Sequence, residues 1–392
     1  MRTDPETDFL FRLLSFASSP DDPRCLVKAA LEVTDWTRVV DLARHHSLIS
    51  QLHTAFTTVR ASDLAPVEVR RRVNSLHRQN AMRNLRCVHR LHTLHGEFDD
   101  EGIRAIPYKG PVVAEFAYDD PGLRWYGDLD FLVAKEDVLD ARRLLLELGY
   151  EQTNYSDVRP ETLVDGTVFR WGKEFRFLNH DDQIPIELRF EFIGGSRPDA
   201  TIFDELWARR TPLSLTGRTV PVLSPEDRAM LLLVHGTKHG WRRLSWVCDV
   251  ALLLQRDVAW ETVLARADRY DWRSAVLFGL AVVARLAEVR LPTAVERELE
   301  EHPQYGLSAS LLASFLRRDP LCTSLRLEPI ATVLFSNDGL VGSALELVDV
   351  VFSPRKVDFE SMSLNPSLYP LYYLVRPYRI GRDLVGRLFD RG

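Results

Sequence analysis

The chain has 392 residues, 45% of them hydrophobic, which is enough apolar material for a sizeable core divided over two or three domains. Fifty Lys and Arg against 56 Asp and Glu leave a net charge of -6, so there is no overall basic excess of the kind that drives nonspecific binding to nucleic acid, although local basic patches are allowed. Cys25, Cys87, Cys248 and Cys322 lie far apart and form no CxxC pair, which argues against a zinc site and for free thiols, mostly packed in cores, in a reducing cytoplasm.

Residues 9–16 are apolar, but Asp4, Glu6 and Asp8 precede them where a signal peptide carries positive charge, so a fraying first helix is expected. Long uncharged stretches are too short or too broken to cross a bilayer; residues 361–375, for example, contain Pro366 and Pro370. From Asp8 to about Asp100 the pattern is helical, ending in a long amphipathic stretch from near Pro66 that carries Val69, Val73, Leu76, Leu85, Val88, Leu91 and Leu94. At Gly102 the character changes to short apolar runs around helical segments, as in an α/β or α+β unit.

Residues 103–108 read as a strand and 111–118 as a helix opened by a glycine and a proline. Asp119-Asp120-Pro121-Gly122 is a turn signal, residues 128–133 a second strand, and 136–148 a helix that Gly149 terminates. Residues 175–178 and 184–192 form a predicted hairpin turning at 179–182. Beyond Gly194-Gly195-Ser196 the chain is helical again, apart from a small hairpin over 213–223. Ser224-Pro225-Glu226-Asp227 supplies an N-cap, a first-turn proline and early acids for the next helix. There is no internal repeat or low-complexity tract.

Side chains alternate along a strand, so in Gly127-Asp128-Leu129-Asp130-Phe131-Leu132-Val133 the two aspartates share the face opposite Leu129, Phe131 and Val133. Two carboxylates side by side on a half-buried strand repel unless a cation neutralises them, and magnesium is the expected one. Two Mg ions held by this pair and a third carboxylate would serve in-line nucleotidyl transfer. One helix upstream, Lys109-Gly110-Pro111 joins a strand to a helix start, where a glycine lets the backbone approach a phosphate and a lysine adds charge.

Together, Lys109-Gly110, Tyr118-Asp119-Asp120-Pro121-Gly122-Leu123-Arg124 and Gly127-Asp128-Leu129-Asp130 resemble the uncharacterised nucleotidyltransferase family of the polymerase-β-like superfamily, with its LKG step, YxDPGxR loop and GDxDLLV strand. Weaker likeness extends over His235 to Asp249 and Tyr372 to Pro377. The resemblance implies a third carboxylate from a later strand, where the family typically has Asp-Leu-His and this chain has Glu187-Leu188-Arg189; Glu191 competes for the role. It also implies a structural or triphosphate contact for Arg124 and makes Lys238 and His239 candidates to face the nucleotide or acceptor. The wider superfamily places Gly-Ser or Gly-Gly at the phosphate turn. Pro111 removes a donor there, shifting phosphate binding toward Lys109 and Arg124.

His235 and His239 have metal-ligand spacing but no intervening HExxH glutamate, and Gly236 and Gly240 suggest a loosened helix end, so cleft-lining polar positions are the favoured reading. Trp241, Leu244, Trp246 and Val250 read as core, Asp249 as a cap or partner of Arg243, and Arg376, Arg379, Arg382, Arg387 and Arg391 as a solvated helix face.

The expected architecture is α+β: a small mixed-sheet nucleotidyltransferase core over residues 102–195, embedded between helical sections at 1–101 and 196–392. Asp128, Asp130 and Glu187 would be the catalytic and metal-binding acids, and Lys109, Gly110, Arg124, Lys238 and His239 would bind nucleotide. The expected reaction moves an NMP group from an NTP to a hydroxyl or phosphate acceptor with Mg2+, releasing pyrophosphate. A catalytically inactive nucleotide-binding or scaffold protein is the first alternative, and nucleotide addition to RNA the second; the net acidity and lack of an aromatic-basic stripe speak against a large nucleic-acid footprint. Acceptor, base preference and oligomeric state are not legible.

Overall fold

Apolar spacing in the front section forms α1 (Pro5–Ser18), α2 (Arg24–Glu32), α3 (Trp36–His45), α4 (Ile49–Thr58) and α5 (Val67–Asp100). This is a computed structural model, and it describes residues 4–18, 23–59, 64–155, 160–161, 174–190, 201–321, 368 and 371–389. The 34 residues of α5 span about 50 Å at the usual helical rise. Its inner face differs from the predicted apolar stripe: Leu85 points to solvent at 56% exposure, while Asn80 and Asn84 are buried beside Val73, Cys87, Val88, Leu91, Leu94 and Phe98.

Next come β1 (Ala105–Pro107), α6 (Pro111–Tyr118), β2 (Leu129–Val133), α7 (Val138–Glu147), β3 (Glu151–Gln152), β4 (Glu174–Leu178) and β5 (Ile186–Arg189). The sheet order is β1-β2-β5-β4-β3, with β2 and β5 parallel and the other neighbours antiparallel. The β4–β5 hairpin and the helix stop at Gly149 (φ 80°) follow the predicted pattern. β3 carries no two-residue periodicity long enough to have been read. Both faces of β2 are covered: Leu129, Phe131 and Val133 pack with the inner half of α5, while Leu132 joins the helical core. The fold is therefore the expected α+β arrangement, a mixed sheet among helices.

The rear section contains α8 (Thr201–Ala208), a hairpin of β6 (Thr211–Leu215) and β7 (Arg218–Val222), then α9 (Pro225–Lys238), α10 (Leu244–Leu253), α11 (Trp260–Arg269), α12 (Arg273–Ala287), α13 (Thr293–Glu301), α14 (Pro303–Arg318) and α15 (Tyr372–Phe389). Ser224 caps α9, its Oγ accepting from the Asp227 N–H at 3.2 Å. One apolar core runs from Phe9, Leu13 and Leu52 in the front helices to Leu233, Val250 and Val282 in the rear ones. A second joins the sheet to α5, to Leu215, Val220 and Val222 of the hairpin, and to Tyr372. The front and rear sections thus close on one another and on the sheet. Arg376 in α15 is buried, which corrects the reading of that arginine as solvent-facing, whereas Arg382 is exposed. Arg391 and Cys322 lie outside the described residues, and nothing is described of the Arg387 side chain. Cys87 and Cys248 are buried free thiols, but Cys25 is exposed rather than packed. No described helix is long and apolar enough to cross a membrane.

The end of α9 is shaped by one side chain. Trp241 adopts a left-handed φ of 52° and is wholly buried, and a Cβ on Gly236 would meet its ring at 2.6 Å. A Cβ on Gly279 would meet the same ring at 2.9 Å, so two glycines on facing helices make its slot. Trp241 Nε1 donates to Thr237 Oγ1 at 3.3 Å, and that hydroxyl donates to the Ala275 carbonyl at 2.8 Å. Alanine is the better helix former by roughly 1 kcal/mol, yet Gly236→Ala is expected to destabilise by about 1–3 kcal/mol because the ring has nowhere to move. Urea unfolding reads this directly, and a stabilised variant would contradict the packing.

Candidate active site

β2 and β5 run parallel in a register that sets Asp130 directly beside Glu187, with Asp128 one step before β2 begins. Asp130 and Glu187 are nearly buried, at 6% and 9% exposure. Burial and the Asp130 charge push the Asp128 carboxyl up to about 6 and that of Glu187 up to about 8. Glu191 lies outside the described residues, so the competition between the two glutamates rests on Glu187's register alone.

Four cations balance these acids. Lys109 leaves the end of β1, reaches Asp130 Oδ1 at 3.3 Å, and sits 4.9 Å from the centre of the Tyr108 ring. Burial works against its charge, but the Asp130 carboxylate outweighs it and holds the lysine protonated. Arg176 Nε stands 2.9 Å from Glu187 Oε1, and Arg189 lies 3.6 Å from Glu187 Oε2 while also pairing with Glu174 and donating to Tyr108 Oη at 3.0 Å. Arg189 thus compensates Glu187. Arg124 is the fourth.

Gly110 is where the backbone demands glycine. Its φ is 51°, and an added Cβ would meet the Asp128 carbonyl at 3.2 Å and the Tyr126 ring at 3.4 Å. The Lys-Gly step therefore packs against the base of the acid strand. Val112 donates its N–H to the Lys109 carbonyl at 3.0 Å, and Pro111 has none to give, so the start of α6 offers fewer donors than a regular phosphate turn.

The loop between α6 and β2 is held by its carbonyls. Asn84 Nδ2 donates to the Pro121 and Arg124 carbonyls at 2.6 and 2.7 Å, Asn80 to Gly122 at 3.1 Å, and Gln51 Nε2 to Leu123 at 2.9 Å. Arg83 donates to the Tyr126 carbonyl and, at 2.5 Å, to that of Gly127. Asn80, Arg83 and Asn84 recur at i, i+3 and i+4, so they share one face of α5. That polar triplet inside an otherwise apolar stripe was the overlooked signal. From the other side Arg124 forms a two-pronged pair with Asp249 of α10, at 2.9 and 2.8 Å, and Tyr118 Oη donates to the same carboxylate at 2.8 Å. Asp249 is thus the partner of Arg124 and not of Arg243. The fork of Arg124 is thus committed to Asp249, and the residue also lines the cleft.

These elements enclose a cleft of about 480 Å³. Lys109, Gly110, Asp128, Asp130 and Glu187 form one wall, joined by Glu174, Arg176 and Arg189, which sequence reasoning had not assigned to binding. Lys238, His239, Arg242 and Arg243, at the turn that Trp241 pins, form the other, with Trp125 at the loop. The His235 and His239 rings lie 4.5 Å apart and 5.0 and 5.7 Å from Trp246, making an aromatic side to the cleft. Burial holds His235 neutral. Trp246 therefore faces the cleft, whereas Trp241, Leu244 and Val250 are core as anticipated.

Among the described residues, no three His, Cys, Asp or Glu side chains converge, as they stand, on a point that would hold a metal ion. The donor set is nonetheless hard oxygen chemistry of the kind Mg2+ takes, and burial together with the neighbouring carboxylates raises the carboxyls of Asp128 and Glu187. Lys109 and Arg176 supply the compensating charge in this arrangement.

A small mixed sheet that presents adjacent acids to a basic cleft, with a Lys-Gly step at its rim, is the arrangement of a nucleotidyl-transfer domain. Residues 32–288 match the family described as uncharacterised nucleotidyltransferase, and the chain belongs to that family. The matched span takes in helices on both sides of the sheet. No curated protein matches the chain.

The Arg124–Asp249 pair is buried, so removing one partner strands the other. Asp249→Ala is expected to cost about 3–5 kcal/mol. The double variant Arg124→Leu with Asp249→Leu should recover much of the loss in urea unfolding. A small, additive pair of single effects would remove the pair from its role as anchor.

Proposed function

We propose that this protein transfers a nucleoside monophosphate from an NTP to a hydroxyl or phosphate acceptor with Mg2+, releasing pyrophosphate. The observation that carries the proposal is the in-register adjacency of Asp130 and Glu187 on parallel strands, with Asp128 one step away, on the wall of a cleft whose other wall is basic. The family supports nucleotidyl transfer in general; Mg2+, the acceptor and the individual roles are the proposal.

Asp128 and Asp130 would hold the metal, and Glu187 would complete its site or take the acceptor proton. When bound, magnesium supplies positive charge to the polyphosphate and to the attacking and leaving oxygens. Lys109, which pairs with Asp130 and precedes Gly110, would supply positive charge to the triphosphate. Lys238 and His239 meet the nucleotide or acceptor from the opposite wall. The acceptor oxygen bonds to the α-phosphorus as the bond to the bridging α–β oxygen breaks, and the acceptor proton passes to a carboxylate. A carboxyl raised into the neutral range, as Glu187 is, suits that transfer.

The ion pairs that occupy the carboxylates favour a second reading, in which the cleft binds nucleotide without turnover. Thermal shift with each NTP, with and without Mg2+, followed by pyrophosphate release over a set of acceptors, separates the two. Asp128→Asn and Asp130→Asn should each abolish Mg2+-dependent stabilisation by NTP. If both variants keep it, the metal assignment is wrong.

A pH dependence follows from the raised carboxyls. Asp128 and Glu187 hold protons in the folded chain that the unfolded chain has already released, so their contribution to stability is fully present at acid pH. It is lost as pH rises through about 6 and about 8. Without nucleotide the melting temperature should fall over that window, and Glu187→Gln should flatten the decline. Mg2+–NTP binding should tighten over the same window and release protons, which calorimetry in buffers of different ionisation enthalpy would register.

A further inference from the structure

Beside the cleft lies a second cavity of about 340 Å³. The two share a partition made of Ser47 and Trp125. Trp125 is 47% exposed, and its indole packs against Gly127, where an added Cβ would meet the ring at 3.4 Å. Its mount is rigid, since the carbonyls on both sides of it are held by Asn84 and Arg83. Ser47 takes a left-handed φ of 61°, and the turn around it is gripped by the start of α10, with the Ser245 N–H on the His46 carbonyl at 3.2 Å and Arg243 on that of His45. Strain of this kind persists only where the surroundings over-determine it.

The chemistry of this chamber differs from that of the cleft. Arg44 and Arg83 are its charged lining residues, with no carboxylate among them, and Ser50, Gln79 and Asn80 bring a hydroxyl and two carboxamides. Asn80 spends both Nδ2 donors, on Ser50 Oγ at 3.3 Å and on the Gly122 carbonyl, and its buried Oδ1 has no partner. Arg83 is engaged with loop carbonyls. No described residue pairs with the Arg44 side chain.

We propose that this chamber is the acceptor site and that it takes a hydroxyl-rich ring bearing an anionic group, such as a sugar phosphate. The inference rests on the nucleotidyltransferase reading above. Carboxamides and hydroxyls match vicinal hydroxyls, the indole presents a flat apolar face to a ring, and Arg44 supplies the charge for a phosphate. A polyamine acceptor is disfavoured, because two arginines without a carboxylate repel it. The volume is of ligand-site size, in the range of about 300–1,000 Å³. Ser47 and Trp125 line both spaces, so an acceptor seated in the chamber would adjoin the cleft.

The test uses the full chain with hexose and pentose monophosphates, their neutral sugars, and an aminocyclitol, each titrated by calorimetry in the presence and absence of Mg2+ and a non-hydrolysable ATP analogue. Arg44→Ala and the space-filling Gln79→Trp change residues outside the cleft, and Trp125→Ala removes the partition that the two spaces share. At least one sugar phosphate should bind, and each variant should weaken it by about tenfold or more, as loss of a central anchor does, while binding of the ATP analogue by the Arg44→Ala and Gln79→Trp variants stays within about twofold. Sugar-phosphate binding that survives all three variants belongs to the cleft and overturns the chamber. Tighter binding of the aminocyclitol, or no sugar-phosphate binding by a chain that binds the ATP analogue, overturns it equally. A chain that fails to bind the analogue refutes the nucleotidyltransferase reading instead, and variant-sensitive sugar-phosphate binding would still support the chamber as a binding site.

Discussion

The clamp on the loop between α6 and β2 is the constraint on which the site depends. A loop rich in glycine and proline has no ladder of its own to satisfy its carbonyls, and a buried carbonyl left unpaired is costly. Here the donors come from side chains of two helices, chiefly Asn80, Arg83 and Asn84 of α5 with Gln51 of α4. Arg124 then ties the loop across to Asp249. The same loop delivers Asp128 to its place, presents Trp125 to two cavities and leaves room for Gly110 against the Asp128 carbonyl. Moving the loop would move all three.

Electrostatic balance is the second organising feature. Asp128, Asp130, Glu187 and Glu174 lie among Lys109, Arg176 and Arg189 in a mostly desolvated wall, where each charge must find an opposite one. In the proposed reaction a cation and a polyphosphate would bring charges of both signs, so partners could exchange: carboxylates toward metal, and ammonium and guanidinium groups toward phosphate. The buried Trp241, slotted between Gly236 and Gly279, turns the chain sharply after α9 and sets Lys238, His239, Arg242 and Arg243 on the facing wall.

Much of the sheet was legible because its signals are local. Two-residue alternation marked β2, the turn at 179–182 marked the β4–β5 hairpin, and Gly149 marked the end of α7. The helix over Pro111–Tyr118 follows from its glycine and proline start. β1 came out shorter than read, over Ala105–Pro107, and β5 begins at Ile186 rather than at 184. Leu85 misled because periodicity identifies an apolar stripe but not which part of it a neighbour covers. Asn80 and Asn84 were passed over because a polar residue inside such a stripe usually faces water, and only the loop packed on it explains its burial.

By itself the sequence determined the class of fold, the placing of two aspartates at the start of a strand and the Lys-Gly step one helix upstream of them, because these rest on spacing within short segments. The tertiary structure decided the rest. It placed Glu187 beside Asp130 through a parallel pairing of strands more than fifty residues apart, committed Arg124 to Asp249 across 125 residues of chain, and brought Arg176 and Arg189 to the acids. It also opened a chamber between α3, α4 and α5 that no run of residues announces. Charge pairing and cavity walls depend on which surfaces meet, and that is set by the packing of whole helices rather than by any single stretch of chain.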